Sequence, residues 1–222
     1  MKDGLLVVDK PAGITSHDVV DLVRKKLKMK RVGHSGTLDP VATGVLVLLV
    51  GSATKLFSKF VYFDKEYEAT LCLGLVTSTG DSEGSIVCKK DASHIREEDV
   101  RKVFSEFIGK REQVPPMVSA LKHQGQRLYD LARRGIEVER KARAITIYDL
   151  QITRMALPEI DFYVKCSKGT YVRRLGEEIG EKLNVGGFIS RIRRISLGPF
   201  HIQQAIKIED VDESHLRHWA SD

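Results

Sequence analysis

At 222 residues the chain is long enough for one large domain or two small ones, and for a sizeable buried core. Hydrophobic residues make up 42% and charged residues 30%, which excludes a disordered or membrane-embedded class and describes an ordinary globular protein. A net charge of +6, with a pI near 9.2, favours a polyanionic partner.

In chain order, Leu5–Val8 reads as a strand that ends in the turn Lys10-Pro11-Ala12-Gly13. Thr15 and Ser16 offer capping oxygens to a helix whose Val19, Val20, Val23 and Leu27 share one face. The basic run Arg24-Lys25-Lys26-Leu27-Lys28-Met29-Lys30-Arg31 then leads into Gly33-His34-Ser35-Gly36-Thr37-Leu38-Asp39-Pro40. There Gly36 is expected to permit a tight reversal and Pro40 to push Asp39 towards extended geometry, on a stiff backbone. Val45–Val50 is an apolar run too short to cross a bilayer and reads as a buried strand, followed by a short helix around 53–60. From Glu66 to Leu73 the alternation is strict, with Tyr67, Ala69, Leu71 and Leu73 on one side.

Residues 96–108 form a helix with Val100, Val103, Phe104 and Phe107 inward, ended by Gly109. A Pro-Pro break, a short helix near 128–134 and two or three strands carry the chain to Arg154. Ile160, Phe162, Val164 and Cys166 alternate on a strand that delivers Gly169-Thr170-Tyr171 to the start of a helix, and a last short helix covers 209–219. Strands outnumber helices and short turns join them, so the expected class is α+β around a mainly antiparallel or mixed sheet. No repeat and no linker of domain-separating length interrupts the chain. Cys72, Cys88 and Cys166 form no CxxC pair, which predicts neither a disulfide framework nor a zinc site but a reduced, cytoplasmic protein with three buried thiols. The first residues carry no secretory pattern.

The motif set resembles the TruB family of pseudouridine synthases. Gly33–Pro40 looks like that family's catalytic signature, and further blocks follow in the family's order: Lys10–Gly13, Lys65-Glu66-Tyr67, Thr79–Gly84, Gln113-Val114-Pro115-Pro116 with Ser119–Lys122, Leu128–Arg133, and Cys166–Arg173. The resemblance implies the pseudouridine synthase fold, a bent sheet flanked by helices with a central RNA-binding cleft. It also implies a single catalytic domain over residues 1–222 in a short form, because only 22 residues follow Phe200 and the C-terminal PUA domain of many members is absent.

The implied reaction breaks an N-glycosidic bond, turns the freed uracil and rejoins it through carbon, at uridine 55 in the tRNA T-loop. It needs no cofactor, redox carrier or metal. The target base must leave its stack, at a cost of roughly a few kcal/mol. By resemblance Asp39 is the nucleophile, against the plain alternative of a turn aspartate satisfying local amides. Burial raises a carboxyl pKa, so an ionised Asp39 calls for a nearby cation. The family match nominates Arg173, with a guanidinium fork onto Asp39. Arg173 and Arg174 also fall in a helix first turn, where the macrodipole disfavours cations and a carboxylate or phosphate should compensate.

Tyr67 would stack on the extruded uracil and assist proton removal at C5, although its pattern equally fits a core tyrosine; Tyr171 lines the same pocket. His34 resembles the family histidine that helps extrude the base, and no ligand-spaced partner makes it a metal site. Asp81 would contact RNA or the target base. Lys10, Pro11 and Gly36 are expected to brace the catalytic loop. Arg31, Lys122, Arg127, Arg133, Arg134 and Arg174 form the expected RNA-gripping face. Partners are tRNA through its T-stem-loop, with no membrane and no guide RNA, and a monomer is expected for want of an amphipathic dimer helix. Two other readings stand beside this one. The first is an RNA-binding chaperone that refolds tRNA. The second is an enzyme on small nucleotides, disfavoured because neither phosphate-binding glycine motif is present.

Overall fold

A computed structural model describes residues 3–219. In chain order the elements begin with β1 (Gly4–Lys10), α1 (Ser16–Leu27), β2 (Val32–His34), β3 (Thr43–Val50), α2 (Phe57–Val61) and β4 (Lys65–Leu73). Next come β5 (Leu75–Thr77), β6 (Ile86–Lys89), α3 (Glu97–Ser105), β7 (Gly109–Gln113), β8 (Lys122–His123), β9 (Gln126–Arg127) and α4 (Leu128–Arg133). The remainder is β10 (Arg143–Ala156), β11 (Glu159–Cys166), α5 (Val172–Lys182), β12 (Gly187–Leu197), β13 (Phe200–His201) and β14 (Ile206–Lys207). The class is α+β with a mixed sheet, as the strand-rich pattern predicted. The chain divides into two compact units, residues 1–67 with 193–222 and residues 68–192. The divisions fall inside β4 and β12, which is why no linker composition marks them.

In the first unit β1 pairs antiparallel with β3 in register from Gly4 opposite Val50 to Lys10 opposite Gly44. β2 adds to β3 antiparallel, and β14 and the end of β12 add parallel, beside β1 and β3 respectively. β3 is buried from Gly44 onwards, as its unbroken apolar run requires. Leu5, Val7, Val45, Val47, Leu49, Ala53, Phe60, Leu197 and Phe200 make the core, where Phe60 stacks on Phe200 at 5.7 Å and meets Trp219 at 5.2 Å. α1 starts with a capping box between Thr15 and Asp18 and buries Val19, Val20, Val23 and Leu27.

Gly44 is the tight point of this unit. Its φ is +101°, and a Cβ there would lie 2.2 Å from the Arg194 carbonyl oxygen. Both the left-handed backbone and the strand contact demand glycine. Gly44→Ala is therefore expected to cost about 3 kcal/mol or more, a fall in melting midpoint of roughly 6–12 °C read by thermal unfolding.

In the second unit β4 and β12 are neighbours, and β11, β10 and β7 follow outward from β4. Tyr67, Ala69, Leu71 and Leu73 of β4 are buried, matching the predicted face. α3 buries Val100, Val103 and Phe104, with Phe104 edge-on to Phe162 at 5.7 Å. It ends at Ser105 rather than running to residue 108; Phe107 is nonetheless buried and Gly109 opens β7. α5 lies directly on the 186–187 turn, since a Cβ on Gly180 would meet the Gly186 carbonyl carbon at 2.3 Å.

Two expectations fail. The tail forms no helix over 209–219. It makes single 3-10 turns at Ile208–Asp210 and Glu213–His215, and Arg217 then exchanges backbone hydrogen bonds with Leu5, 2.9 Å each way. Edge pairing to β1 satisfies this backbone, so a helical periodicity there loses to a sheet edge. The thiols are not all buried either. Cys166 is, Cys72 is half-buried with burial pushing its thiol pKa up, and Cys88 is exposed on β6. β6 is exposed throughout because it pairs only with β5, so its apolar letters do not mark a core strand.

Candidate active site

The first unit presents Asp39 on the loop between β2 and β3, and that loop is bonded at nearly every residue around the carboxylate. Ser16 Oγ donates to the Leu38 carbonyl at 3.0 Å and accepts from the Leu38 amide at 2.8 Å. On the other side the Pro40 carbonyl accepts from the Gly13 amide at 2.9 Å and from Lys10 Nζ at 3.1 Å. Lys10, fully buried, also donates to Ala42 O at 2.7 Å and Pro11 O at 2.9 Å. Within the loop the Ala42 amide donates to the Asp39 carbonyl at 3.0 Å. The residues before and after Asp39 are thus held, and its side chain is half-buried. The Lys10-Pro11 turn does act as a brace for this loop. Gly36 sits in the bend after β2 outside the left-handed region, and the positive φ of this segment belongs to Gly44.

His34 closes β2, opposite Leu48, and is half-buried. Tyr67 is buried on β4, 8% exposed. Arg31 is exposed at the entry to β2, where its Nε donates to Thr54 Oγ1 at 2.7 Å.

In the second unit Arg173 is the centre. It is 2% exposed at the start of α5, yet it is a charged group. Asp81, also 2% exposed, lies 3.3 Å from its Nη1. Nη1 also donates to the Thr79 carbonyl and Nη2 to the Val118 carbonyl, each at 2.8 Å. One guanidinium therefore ties the 79–81 turn and the 118 loop to the first turn of α5. The macrodipole penalty at that end is offset by Asp81. Asp81 in turn accepts from Thr79 Oγ1 and from the Glu83 amide at 3.0 Å. Asp81, expected to contact RNA or the target base, is buried here and bonded to Arg173 and its own turn. Sequence order hid this because 92 positions of chain could not reveal which acid would meet Arg173.

Tyr171, the N-cap of α5, is clamped through its backbone. Gln113 Oε1 accepts from its amide at 2.8 Å and Gln113 Nε2 donates to its carbonyl at 3.3 Å. Gln113 is 2% exposed, and its place in Gln113-Val114-Pro115-Pro116 is its one signal in the sequence.

The basic residues separate into two groups. Lys122, Arg127, Arg133 and Arg134 lie exposed on the β8–β9 hairpin and α4, where Arg127 and Arg133 stand 5.7 and 5.6 Å from the Tyr129 ring centre. Arg174 does not belong with them. It is ion-paired within its own helix to Glu177 at 3.2 Å, Glu178 at 3.1 Å and Glu181 at 3.0 Å. Burial pushes the Glu177 and Glu178 carboxyls up, with Arg174 opposing that shift. Its charge is met by these three glutamates, which supports the helix. Among the described residues no three His, Cys, Asp or Glu side chains gather as a metal ion would require.

The description "TruB family pseudouridylate synthase (N terminal domain)" matches residues 24–172. The chain is 46% identical over 215 residues to tRNA pseudouridine synthase B of Clostridium tetani, covering 97% of this chain and 74% of that protein. It is 49% identical over 214 residues to the protein of that name from Clostridium kluyveri, covering 96% and 74%. For the Opitutus terrae protein of that name the figures are 43% over 210 residues, 95% and 87%. Among solved structures it is similar to a chain of a Cbf5-Nop10-Gar1 complex, with a TM-score of 0.74 and 30% identity. That match covers 93% of this chain and 53% of the other, so the chain spans about half the length of that relative.

Proposed function

The chain belongs to the TruB family of pseudouridylate synthases, and we propose on that basis that it isomerises uridine to pseudouridine in tRNA, at position 55 of the T-loop. The observation that carries this reading is the Asp39 loop, a family signature whose flanking residues are each pinned by buried donors. Rigid presentation of one carboxylate is what a reaction with a single nucleophile and no cofactor demands. The substrate class comes from the relatives, which carry the name tRNA pseudouridine synthase B.

Asp39 is the nucleophile, acting at the ribose C1′, at uracil C6 or as a base at the ribose. His34 helps to extrude the base, and Tyr67 and Tyr171 receive it, Tyr67 also assisting proton removal at C5. Arg173 is the cation assigned to keep the nucleophile ionised. Lys122, Arg127, Arg133 and Arg134, with Arg31, neutralise phosphates, so affinity should fall steeply with salt. A basic hairpin followed by a short helix whose Tyr129 ring is flanked by the Arg127 and Arg133 guanidinium groups suits a folded RNA backbone with an exposed base.

The test is release of tritium from C5 of uridine in an unmodified tRNA transcript, without added cofactor or metal. Wild-type protein should release one label per tRNA, and a transcript with cytidine at position 55 should release none. Release that persists with the position-55 variant would move the target elsewhere. No release, with salt-sensitive tRNA binding intact, would leave the folding-assistance role.

A further inference from the structure

Arg194 lies on β12 and is 1% exposed, among the largest fully buried side chains of the protein. No carboxylate lies within ion-pair distance of it among the described residues. Its charge is instead met by backbone oxygens: Nε donates to the Val45 carbonyl at 2.7 Å and Nη2 to the Gly36 carbonyl at 3.2 Å. These two carbonyls stand at opposite ends of the segment that carries Asp39. Gly36 begins the reversal before the aspartate, and Val45 is the strand residue after Gly44. Gly44 is itself pressed against the Arg194 backbone, as its forbidden Cβ shows.

A buried cation with no acidic partner is costly, and a methionine or leucine of similar volume would serve packing alone better. Planar, forked donors suit a different task, holding two fixed oxygens at once, which lysine does poorly. We propose that Arg194 is a positioning residue for Asp39, closing its loop from below by bonding both ends to one rigid guanidinium. The inference rests on the reading of Asp39 as the nucleophile. Arg194 touches no substrate in this account and acts only through the loop.

Three variants test it on unmodified tRNA: Arg194→Met, Arg194→Lys and Asp39→Ala, each assayed for single-turnover tritium release and for tRNA Kd well below its melting midpoint. Arg194→Met is expected to slow turnover about 10–100-fold, the scale of a catalytic group displaced by about an ångström, with Kd within about twofold of wild type. Arg194→Lys keeps the charge and one donor, and should recover part of that loss at unchanged Kd. A general loss of folding would instead weaken binding and turnover together.

Wild-type turnover in Arg194→Met overturns the proposal, as does a loss of turnover matched by an equal loss of tRNA affinity. If Arg194→Met does not fold, Arg194→Lys decides: a folded lysine variant at full rate shows that the fork is not needed. Asp39→Ala separates the two readings. If it turns over, the assignment of the nucleophile fails. If it is silent while Arg194→Met is unimpaired, only the role of Arg194 falls.

Discussion

Asp39→Ala is expected to abolish label release, at least about 10⁴-fold below wild type, while tRNA affinity stays within about twofold. The reason is chemical: the proposed reaction has one nucleophile and nothing in reserve, with no cofactor to supply a slower route. Asp39→Asn should be equally silent. It keeps the shape and hydrogen-bonding reach of the side chain but lacks the negative charge, so its silence would assign the loss to the carboxylate rather than to the loop. The braces on Leu38 and Pro40 come from Ser16, Gly13 and Lys10, none of which bonds through the Asp39 carboxylate in doing so. Turnover by either variant above about a tenth of wild type would sink the nucleophile assignment and favour the turn-aspartate alternative.

Arg173→Met should be the most destabilising single change at the site. It leaves Asp81 as a buried charge without its cation, and strips the Thr79 and Val118 carbonyls of their donors. Removing one partner of a buried pair typically costs about 3–5 kcal/mol. For a chain of this size that is a fall in melting midpoint of roughly 6–20 °C by calorimetry. Arg173→Lys should be little better, because one ammonium cannot hold two carbonyls and a carboxylate in a plane. Combining Arg173→Met with Asp81→Leu should cost less than the sum of the separate changes, since the second removes the stranded charge. A midpoint within about 1 °C of wild type for Arg173→Met would mean that Asp81 stays solvated and that the pair does not organise its loops.

Arg173 and Arg174 show how far sequence reasoning reaches at this site. In the sequence both read as cations misplaced at a helix start, in need of compensating anions. That much follows from the macrodipole, a local property of the chain. Which anion serves which arginine is not local. Arg174 finds glutamates one and two turns along its own helix, at spacings visible in the sequence; Arg173 finds an acid on a distant turn. The 3.6-residue period accounts for the first pairing, and only folding could make the second.

The strand-rich α+β class, the buried faces of α1, α3 and β4, the Thr15 cap and the family are legible before folding, because each rests on short-range periodicity or on motif order. Folding decides the end of the chain, the exposure of Cys88 and which carbonyls of the Asp39 loop Lys10, Ser16 and Arg194 hold. The tail could satisfy its backbone at Leu5 of β1, away from the Val8–Asp9 stretch that β14 covers, so that pairing overrode a helical pattern. Lys10, Ser16 and Arg194 reach that loop from three different elements: the motif match nominates Lys10 as a brace, Ser16 reads as a capping serine, and nothing in the sequence singles out Arg194. Burial converts each into a donor for a fixed carbonyl: a polar group taken out of water must find a partner, and the available partners were the backbone oxygens around Asp39.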